Sequence, residues 1–375
     1  MTGAPPLDLL VPPYIRQFQA YVPSKPDSEL KRIYGCPRLF RLNNNENFLG
    51  PPPAAQDAIR RFPAHDAAIY PSGDAYCLRL KLGERFCMHP DQFLVGNGAN
   101  EAIGFVIKAF CGEGDNIITA DKTFAVYEWV ATFSGVEARL VPLREFTFDA
   151  EGMIGRIDER TKVLFVCNPN NPTGTCWTED RLRRFLDRIG GRRIVVVDEA
   201  YVEFVEARDF PNAMPLIREY PNLVVFRTFS KMFGLAGLRI GYLAGDPDVV
   251  DIIRRACVVY SVNALAQLAA LAALKDGEEH IERTRGLVKQ GKAFLQREVS
   301  ALGLPFLLGE GNFMMIRLPM NDGLAYRKLM TRGVMVRTMS GFRFPNWIRV
   351  TISHQEAMEA FVEALAGILS PAKTD

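Results

Sequence analysis

The sequence lacks the closely spaced cysteines that mark disulfide-rich and zinc-binding proteins. No C-x-x-C pair occurs, and none of the seven cysteines lies within four residues of another: they are Cys36, Cys77, Cys87, Cys111, Cys167, Cys176 and Cys257. The odd number and the wide spacing argue against a disulfide framework and against a structural zinc site. Reduced thiols in a cytoplasmic protein are the simplest interpretation.

A strong net charge and a long apolar segment are also absent. The chain carries 45 Lys and Arg against 43 Asp and Glu, so we expect neither nucleic-acid binding by counterion release nor a polybasic membrane anchor. The longest apolar helical stretch, residues 264–274, is too short to span a bilayer. No basic residue precedes Arg16, so we expect no signal peptide. The scattered histidines predict no metal site: they are His65, His89, His280 and His354.

The middle of the chain alternates between two patterns. After a proline-rich first fifty residues, with a short helix predicted near 28–34, runs rich in β-branched residues alternate with helical stretches. The strand-like runs are residues 92–95, 116–119, 138–142, 163–167, 193–197, 223–228 and 239–244. This alternation predicts an α/β fold whose mostly parallel, seven-stranded sheet is covered by helices on both faces.

A smaller unit is predicted at the end of the chain. A long helical region over 248–302, interrupted near Val262, is followed by short strands and by a final helix over 355–369. This order is typical of a small α+β domain. We therefore expect three parts: an N-terminal arm with part of the small domain over 1–49, a large cofactor-binding domain over 50–262, and a small C-terminal domain over 263–375.

Three consecutive strands of the predicted sheet end in polar side chains: Asn171 after the first, Asp198 and Tyr201 after the second, and Lys231 after the third. The carboxyl ends of parallel strands share one edge of a sheet, where ligands bind. A lysine can form a Schiff base with an aldehyde, and an aspartate can hold a pyridine nitrogen protonated. A tyrosine and an asparagine can both hydrogen-bond a phenolic oxygen. Together these groups predict a site for pyridoxal 5′-phosphate.

A glycine-rich turn could hold the phosphate of this cofactor. Gly96-Asn97-Gly98-Ala99-Asn100 follows a strand and opens a helix, where backbone N–H groups favour an anion. Ser230 and Arg239 could add side-chain donors, and Phe124 could stack on the pyridine ring. The turn nearly matches the dinucleotide-binding pattern G-x-G-x-x-G, but Glu101 replaces the third glycine. We therefore rank a nicotinamide site below pyridoxal phosphate.

At this point the motifs resemble a known family over nearly the whole chain. The chain looks like a fold type I pyridoxal-phosphate aminotransferase, and most like the histidinol-phosphate aminotransferases. The segments that carry the resemblance are YVPSKP at 21–26, LNNNEN at 42–47, YP at 70–71, GNG at 96–98, CNPNNPTG at 167–174, VDEAY at 197–201, RTFSKMFGLAGLR at 227–239 and Arg349.

The resemblance implies a role for each matching position. Lys231 would form the Schiff base with the cofactor and move the proton, and Asp198 would pair with the pyridine nitrogen. Tyr201 and Asn171 would bond the phenolic oxygen of the cofactor, and Phe124 would stack on its ring. Its phosphate would be held by Ser230, Arg239 and the amides near Ala99 and Asn100. Tyr70 would reach the cofactor phosphate of the neighbouring subunit, which implies a homodimer. The substrate would be bound by Tyr21, Asn47, Arg337 and Arg349.

A few positions depart from the family pattern. Phe48 replaces the usual proline after Asn-Glu-Asn, and Ala99-Asn100 replaces Ser-Asp in the phosphate turn. Phe124 replaces a tyrosine, and His354 stands where glycine is frequent. None of these changes removes a group that the cofactor chemistry needs.

Three functions are consistent with these residues. The first is amino transfer from L-histidinol phosphate, or a related donor, to 2-oxoglutarate, as in histidine biosynthesis. The second keeps the cofactor but changes the reaction, to an aromatic amino-acid aminotransferase or a threonine-phosphate decarboxylase. The third is a ligand-sensing protein on the same fold. Such relatives usually carry a DNA-binding domain, and no helix-turn-helix extension is visible here.

Overall fold

A computed structural model of the chain describes residues 9–19, 23–275 and 277–370. The described strands form two sheets. In chain order they are β1 (Phe40–Leu42), β2 (Phe93–Gly96), β3 (Asn116–Ala120), β4 (Glu137–Val141), β5 (Thr161–Cys167), β6 (Ile194–Asp198), β7 (Leu223–Thr228), β8 (Gly241–Ala244), β9 (Phe306–Leu308), β10 (Phe313–Arg317), β11 (Val334–Thr338) and β12 (Trp347–Thr351).

The larger sheet has seven strands in the order β2-β8-β7-β6-β5-β3-β4. All pairings from β7 to β4 are parallel, and β8 runs antiparallel to both of its neighbours. Val195, Val196 and Val197 in the middle of β6 are fully buried, as expected where helices cover both faces of a sheet. The predicted mostly parallel α/β fold is confirmed.

Helices connect the strands and cover the sheets. They are α1 (Pro13–Gln17), α2 (Asp27–Tyr34), α3 (Pro53–Arg60), α4 (Tyr76–Phe86), α5 (Ala99–Phe110), α6 (Val126–Phe133), α7 (Ala150–Ile154), α8 (Glu179–Ile189), α9 (Ala213–Leu216), α10 (Pro247–Arg254), α11 (Ala264–Ala273), α12 (Gly277–Ala301), α13 (Asp322–Met330) and α14 (Gln355–Leu369). Helix α8 illustrates the local signals. The Thr178 hydroxyl caps its first turn, and Gly190 ends it with a φ of 61°.

The smaller sheet joins the two ends of the chain. Its order is β1-β11-β12-β10-β9, and β1 pairs parallel with β11, with Phe40 opposite Val334. The other pairings are antiparallel. We did not predict β1 and β9, because a three-residue strand carries almost no alternation of polar and apolar positions.

The long helical region predicted over 248–302 consists of three helices, α10, α11 and α12. Its first interruption spans residues 255–263, close to the predicted break at Val262. Helix α11 packs against α3 and α4 beside the large sheet, whereas α12 packs against α14, β9 and β10 of the small one. The predicted division into three parts stays a prediction.

The described residues hold neither a membrane-spanning helix nor a cluster of metal-ligating side chains. No helix in ranges 9–19, 23–275 and 277–370 is long and apolar enough to cross a bilayer. Within the same ranges, no group of three or more His, Cys, Asp and Glu side chains could hold a metal ion.

Candidate active site

A cavity of about 990 Å³ opens at the carboxyl edge of the large sheet, beside the small sheet. The structure brings most of the predicted site residues together in its wall: Ala99, Asn100, Phe124, Asn171, Asp198, Tyr201, Ser230, Lys231, Arg239, Arg337 and Arg349. Parallel strands explain this convergence, because β5, β6 and β7 all end at the same edge.

Lys231 projects into this cavity from the segment after β7. Its Nζ atom donates a hydrogen bond to the backbone oxygen of Asn44, at 2.7 Å. Burial, helped by the positive charge of Arg349, lowers the pKa of the Lys231 amine to about 8. A much larger fraction of this amine is therefore neutral near pH 7 than for an exposed lysine, as a nucleophile or a base requires.

Asp198 is the last residue of β6 and is 3% exposed. Its Oδ2 atom accepts a hydrogen bond from the Tyr127 hydroxyl at 2.5 Å, and Oδ1 accepts one from the backbone N–H of Ala200 at 3.1 Å. Burial raises the pKa of the Asp198 carboxyl to about 6, and these two hydrogen bonds oppose that rise. The carboxylate is thus held in one orientation by a donor on each oxygen.

Tyr201 and Arg349 occupy the side of the cavity nearest the small sheet. The Tyr201 oxygen accepts a hydrogen bond from Asn45 Nδ2 at 2.9 Å. Arg349 donates to the side-chain oxygen of Asn171 and, at 2.8 Å, to the backbone oxygen of Asn43. Burial raises the pKa of Tyr201 to about 12 and lowers the pKa of Arg349 to about 10.

The predicted phosphate turn forms a cradle at the start of α5. Gly98 has a φ of 84°, and a Cβ atom there would overlap the Arg239 guanidinium, so only glycine leaves this space open. Arg239 Nη1 donates to Ser230 Oγ at 3.4 Å. Glu101, which replaced the third glycine of the pattern, accepts hydrogen bonds from Asn97 N and Ser261 Oγ at 2.7 and 2.8 Å and so fixes the turn.

Two predicted site residues lie elsewhere, and a third is not described. Asn47 is buried but is not among the described residues that line the cavity; its amide donates to the backbone oxygen of Met232 at 2.7 Å. Tyr70 is 80% exposed and stacks on Tyr260, with ring centroids 4.9 Å apart. Tyr21 lies outside the described residues.

A second cavity of about 920 Å³ adjoins the first. Asn44, Trp129, Arg337 and Phe342 line both cavities. Its wall is rich in aromatic rings, from Phe18, Tyr34, Trp129, Tyr326 and Phe342, and it also carries the cations Lys25 and Arg337. A flat, partly polar side chain would find stacking partners in this space.

Sequence analysis missed two side chains that hold the predicted ones. Tyr127 is fully buried, stacks on Phe165 at 4.9 Å and bonds Asp198. Asn45 is fully buried and bonds Tyr201. Tyr127 lies close in sequence to Phe124, and its backbone N–H donates to the Phe124 oxygen at 3.3 Å; this proximity to a predicted site residue is a signal that could have pointed to it.

The groups present fit pyridoxal 5′-phosphate. Lys231 supplies an amine with a lowered pKa, and Asp198 supplies a buried carboxylate for a pyridine nitrogen. Tyr201 and Asn171 line the same cavity and offer polar atoms to it. The cradle at Gly98 combines a helix N-terminus with the Arg239 guanidinium, which lies against the glycine, and this suits a phosphate dianion.

Comparison with known proteins gives the same result. Residues 37–365 match the family described as aminotransferase class I and II. The chain is 38% identical to a histidinol-phosphate aminotransferase of Anaeromyxobacter sp. (strain Fw109-5), over 96% of this chain and 99% of that protein. It is 40% identical to a histidinol-phosphate aminotransferase of Symbiobacterium thermophilum, over 95% of this chain and 97% of that protein.

Solved structures share the fold. The histidinol-phosphate aminotransferase of Sinorhizobium meliloti in complex with pyridoxal-5′-phosphate has a TM-score of 0.84 at 24% identity, over 95% of this chain and 96% of that one. A Thermus thermophilus aspartate aminotransferase double mutant has a TM-score of 0.83 at 23% identity, over 96% and 99%. From the family match and the fit of the cavity, we conclude that the chain belongs to the aminotransferase class I and II family and is a transaminase that uses pyridoxal 5′-phosphate.

Proposed function

We propose that this aminotransferase takes an amino group from L-histidinol phosphate and passes it to 2-oxoglutarate. Relatives named histidinol-phosphate aminotransferase align with nearly the whole chain. A donor that bears a phosphate and an acceptor that bears carboxylates must share one anion site. The proposal therefore depends on what the cavity offers to anions.

The observation that carries the proposal is a pair of arginines. Arg337 on β11 and Arg349 on β12 are direct partners across two antiparallel strands, and both line the cavity. Like charges directly opposite each other destabilise a sheet, and Arg349 Nε is buried without a partner among the described residues. An anion bound between them would remove both costs, and a guanidinium donates paired hydrogen bonds to a phosphate or a carboxylate in the same bidentate way.

The side chains around the cofactor site would have distinct tasks. Asp198 would pair with the pyridine nitrogen, Tyr201 and Asn171 would bond the phenolic oxygen, and Phe124 would cover one face of the ring. Ser230, Arg239 and the first amides of α5 would hold the phosphate. Lys231 would carry the cofactor covalently until an amino donor replaces it.

The chemistry would divide between the cofactor and the protein. When bound, the cofactor supplies a protonated pyridine ring that accepts the electron pair left at the substrate Cα. Lys231, released as a neutral amine, would take the Cα proton on Nζ as a general base, and the ammonium so formed would deliver a proton to the cofactor side of the substrate nitrogen. Arg349 and Asn171 keep the substrate oriented while this transfer occurs.

The aromatic cavity would receive the side chain of the donor. Trp129 and Tyr326 could stack on an imidazole ring, and the same rings could stack on a phenyl ring. An aromatic amino-acid donor is therefore the second candidate. A threonine-phosphate decarboxylase would consume no keto acid, which separates it from both transaminases in one assay.

We also propose that the enzyme is a homodimer. Its support is an exposed apolar patch near Tyr70, formed by Ile69, Tyr70, Tyr76, Val258, Val259 and Tyr260, with exposures from 49% to 80%. A contiguous patch of large apolar side chains marks an interaction surface. Light scattering should give twice the mass of the 42.0 kDa chain. The variant Val259→Lys should lower the measured mass towards that of a single chain.

Two further proposals concern the location of the enzyme and its domain limits. We propose a cytoplasmic enzyme, because all seven cysteines are free thiols. We propose the domain limits 1–49, 50–262 and 263–375 on the grounds that β1 belongs to the small sheet and that β2 to β8 build the large one.

The deciding experiment is a spectral titration of the purified enzyme. A visible band from a lysine–pyridoxal Schiff base should disappear on addition of L-histidinol phosphate and return with 2-oxoglutarate. Lys231→Ala should never form that band. A band that ignores histidinol phosphate and responds to phenylalanine would favour the aromatic donor, and release of CO₂ would favour the decarboxylase.

A further inference from the structure

The three residues that follow β1 touch three side chains of the proposed site. The backbone oxygen of Asn43 accepts from Arg349, and that of Asn44 accepts from Lys231. The side chain of Asn45 donates to the Tyr201 oxygen. This segment, residues 43–45, is called the asparagine turn below. Only its third member acts through a side chain.

Asn45 is held in place from several directions. It is fully buried, and its φ of 57° lies in the left-handed region, which asparagine tolerates better than most residues. Its N–H donates to Thr351 Oγ1 at 3.0 Å, and its backbone oxygen accepts from Asn312 at 3.2 Å. The rotamer and position of Asn45 are therefore set independently of Tyr201.

The orientation of the Asn45 amide follows from Thr351. The Thr351 hydroxyl has one proton, and it donates this proton to Asn45 Oδ1 at 3.2 Å. The other end of the amide, Nδ2, therefore faces Tyr201. An amide nitrogen can only donate, so the Tyr201 oxygen must act as the acceptor in this pair.

A phenol carries a single proton, and the contact with Asn45 does not use it. We propose that Asn45 is a positioning residue that directs the Tyr201 proton into the cavity, where it is donated to the phenolic oxygen of the cofactor. This inference rests on the proposed role of Tyr201. Burial raises the pKa of Tyr201 to about 12, so the hydroxyl keeps this proton at neutral pH.

An alternative donor pattern would lose one of the described hydrogen bonds. If Tyr201 donated to Asn45 instead, the amide would have to turn, its nitrogen would face Thr351, and the Thr351 proton would lose its acceptor at Asn45 Oδ1. A carboxylate at position 45 would impose that reversed pattern, because it only accepts. Asn45→Asp is therefore a reversing variant, and Asn45→Gly removes the amide while tolerating the positive φ.

The test is a double-mutant cycle on cofactor affinity. Dissociation constants for pyridoxal 5′-phosphate are measured for the natural chain, Asn45→Gly, Tyr201→Phe and the double variant. Each single change should weaken binding about fivefold to tenfold, the effect of one hydrogen bond. The double variant should be no weaker than Tyr201→Phe within about twofold, because the amide acts only through the hydroxyl. Losses that multiply in the double variant would overturn the inference.

A second readout separates positioning from general weakening. The visible band of the holoenzyme titrates with pH, and loss of a proton donor at the phenolic oxygen should move this titration to higher pH. Tyr201→Phe and Asn45→Asp should give similar upward shifts. Thr331→Val removes a hydroxyl that bonds the Lys328 carbonyl at the end of α13, remote from the asparagine turn. It should leave the titration unchanged.

The outcomes distinguish this inference from the proposed function. If the natural enzyme showed no visible band, the result would contradict both the proposed function and the role of Asn45. A normal band with unaltered titration in Asn45→Asp would leave the transaminase assignment intact and overturn the role of Asn45. Circular dichroism of each apoprotein provides the check that the fold is retained.

Discussion

The pH dependence of cofactor capture should follow Lys231. Only the neutral amine can attack an aldehyde, and its pKa is about 8. The rate at which the visible band appears after mixing apoprotein with pyridoxal phosphate should therefore fall about tenfold per pH unit well below pH 8. Stopped-flow absorbance between pH 6 and 9 measures it.

Arg349 provides the matching variant for this prediction. Its positive charge lowers the pKa of Lys231, so Arg349→Gln should raise that pKa and move the rate profile to higher pH. A flat profile in the natural enzyme, or a shift to lower pH in the variant, would contradict the assignment of Lys231 as the attacking amine.

Tyr127 should affect cofactor affinity through its hydrogen bond to Asp198. Tyr127→Phe removes the hydrogen bond that stabilises the carboxylate, so the pKa of Asp198 should rise further above 6. A hydrogen bond to a charged group contributes about 1.5–3 kcal/mol, so cofactor affinity should fall about tenfold or more. Equilibrium dialysis measures it. Tyr242→Phe, which changes a buried tyrosine that is not among the described cavity residues, should leave affinity unchanged.

At the level of single residues, the sequence predicted the side chains that line the cavity better than it predicted the side chains that hydrogen-bond to them. Asn171, Asp198 and Lys231 follow parallel strands, so one topological rule places them at a common edge. Tyr127 and Asn45 are 71 and 156 positions from their hydrogen-bond partners. No local pattern encodes such contacts, because the packing of whole elements determines them.

Among the elements, helix α12 offers a matched pair of glycines. Gly286 is exposed and has no neighbouring atom within 4 Å of an added Cβ. Gly286→Ala should therefore stabilise the protein by about 1 kcal/mol, the difference in helix propensity. A Cβ on buried Gly291 would overlap Ile352 and approach Met358 Sδ at 3.1 Å. Gly291→Ala should destabilise by about 1–3 kcal/mol.

Urea unfolding of the two variants tests this contrast. Both substitutions add the same methyl group to the same helix. The gain in helix propensity is therefore equal in the two variants and cancels when their unfolding free energies are compared. Equal stabilisation would mean that α12 shifts away from the small sheet at little cost. Opposite signs are expected, since Ile352 lies at the end of β12 and is itself fully buried.

Element prediction succeeded where periodic patterns were long enough. The bounds of β7 and α14 agree with the predicted ranges, and those of β3 differ by one residue. Strands β1 and β9 were missed. A three-residue strand gains its hydrogen bonds from partners elsewhere in the chain, and its own sequence holds too few positions to reveal them.

At the scale of the whole molecule, subunit mixing tests whether Tyr70 acts across an interface. Tyr70 is 80% exposed in the single chain and is not among the described residues of its own cavity. Tyr70→Ala and Lys231→Ala homodimers should both be nearly inactive. In a mixed dimer, the site of the Tyr70→Ala subunit keeps its own natural Lys231 and receives the natural Tyr70 of the other subunit, so this one site is intact.

Random exchange of the two variants should restore about one quarter of the natural activity, since half of the dimers are mixed and each has one intact site. Transaminase assays after refolding the mixture measure this recovery. Natural dimer refolded alone is the control for recovery. No regain of activity would place Tyr70 outside the site of the partner subunit.

The pairing of β1 with β11 has a consequence for biosynthesis. A ribosome makes Phe40 long before Val334, so β1 has no strand to join until the whole stretch between them has emerged. The asparagine turn directly after β1 can be fixed only then. A nascent chain that stops before β11 would have its large sheet but no anchor for Lys231 and Tyr201. Completion of the cofactor site would thus report that β11 has been made and has paired with β1.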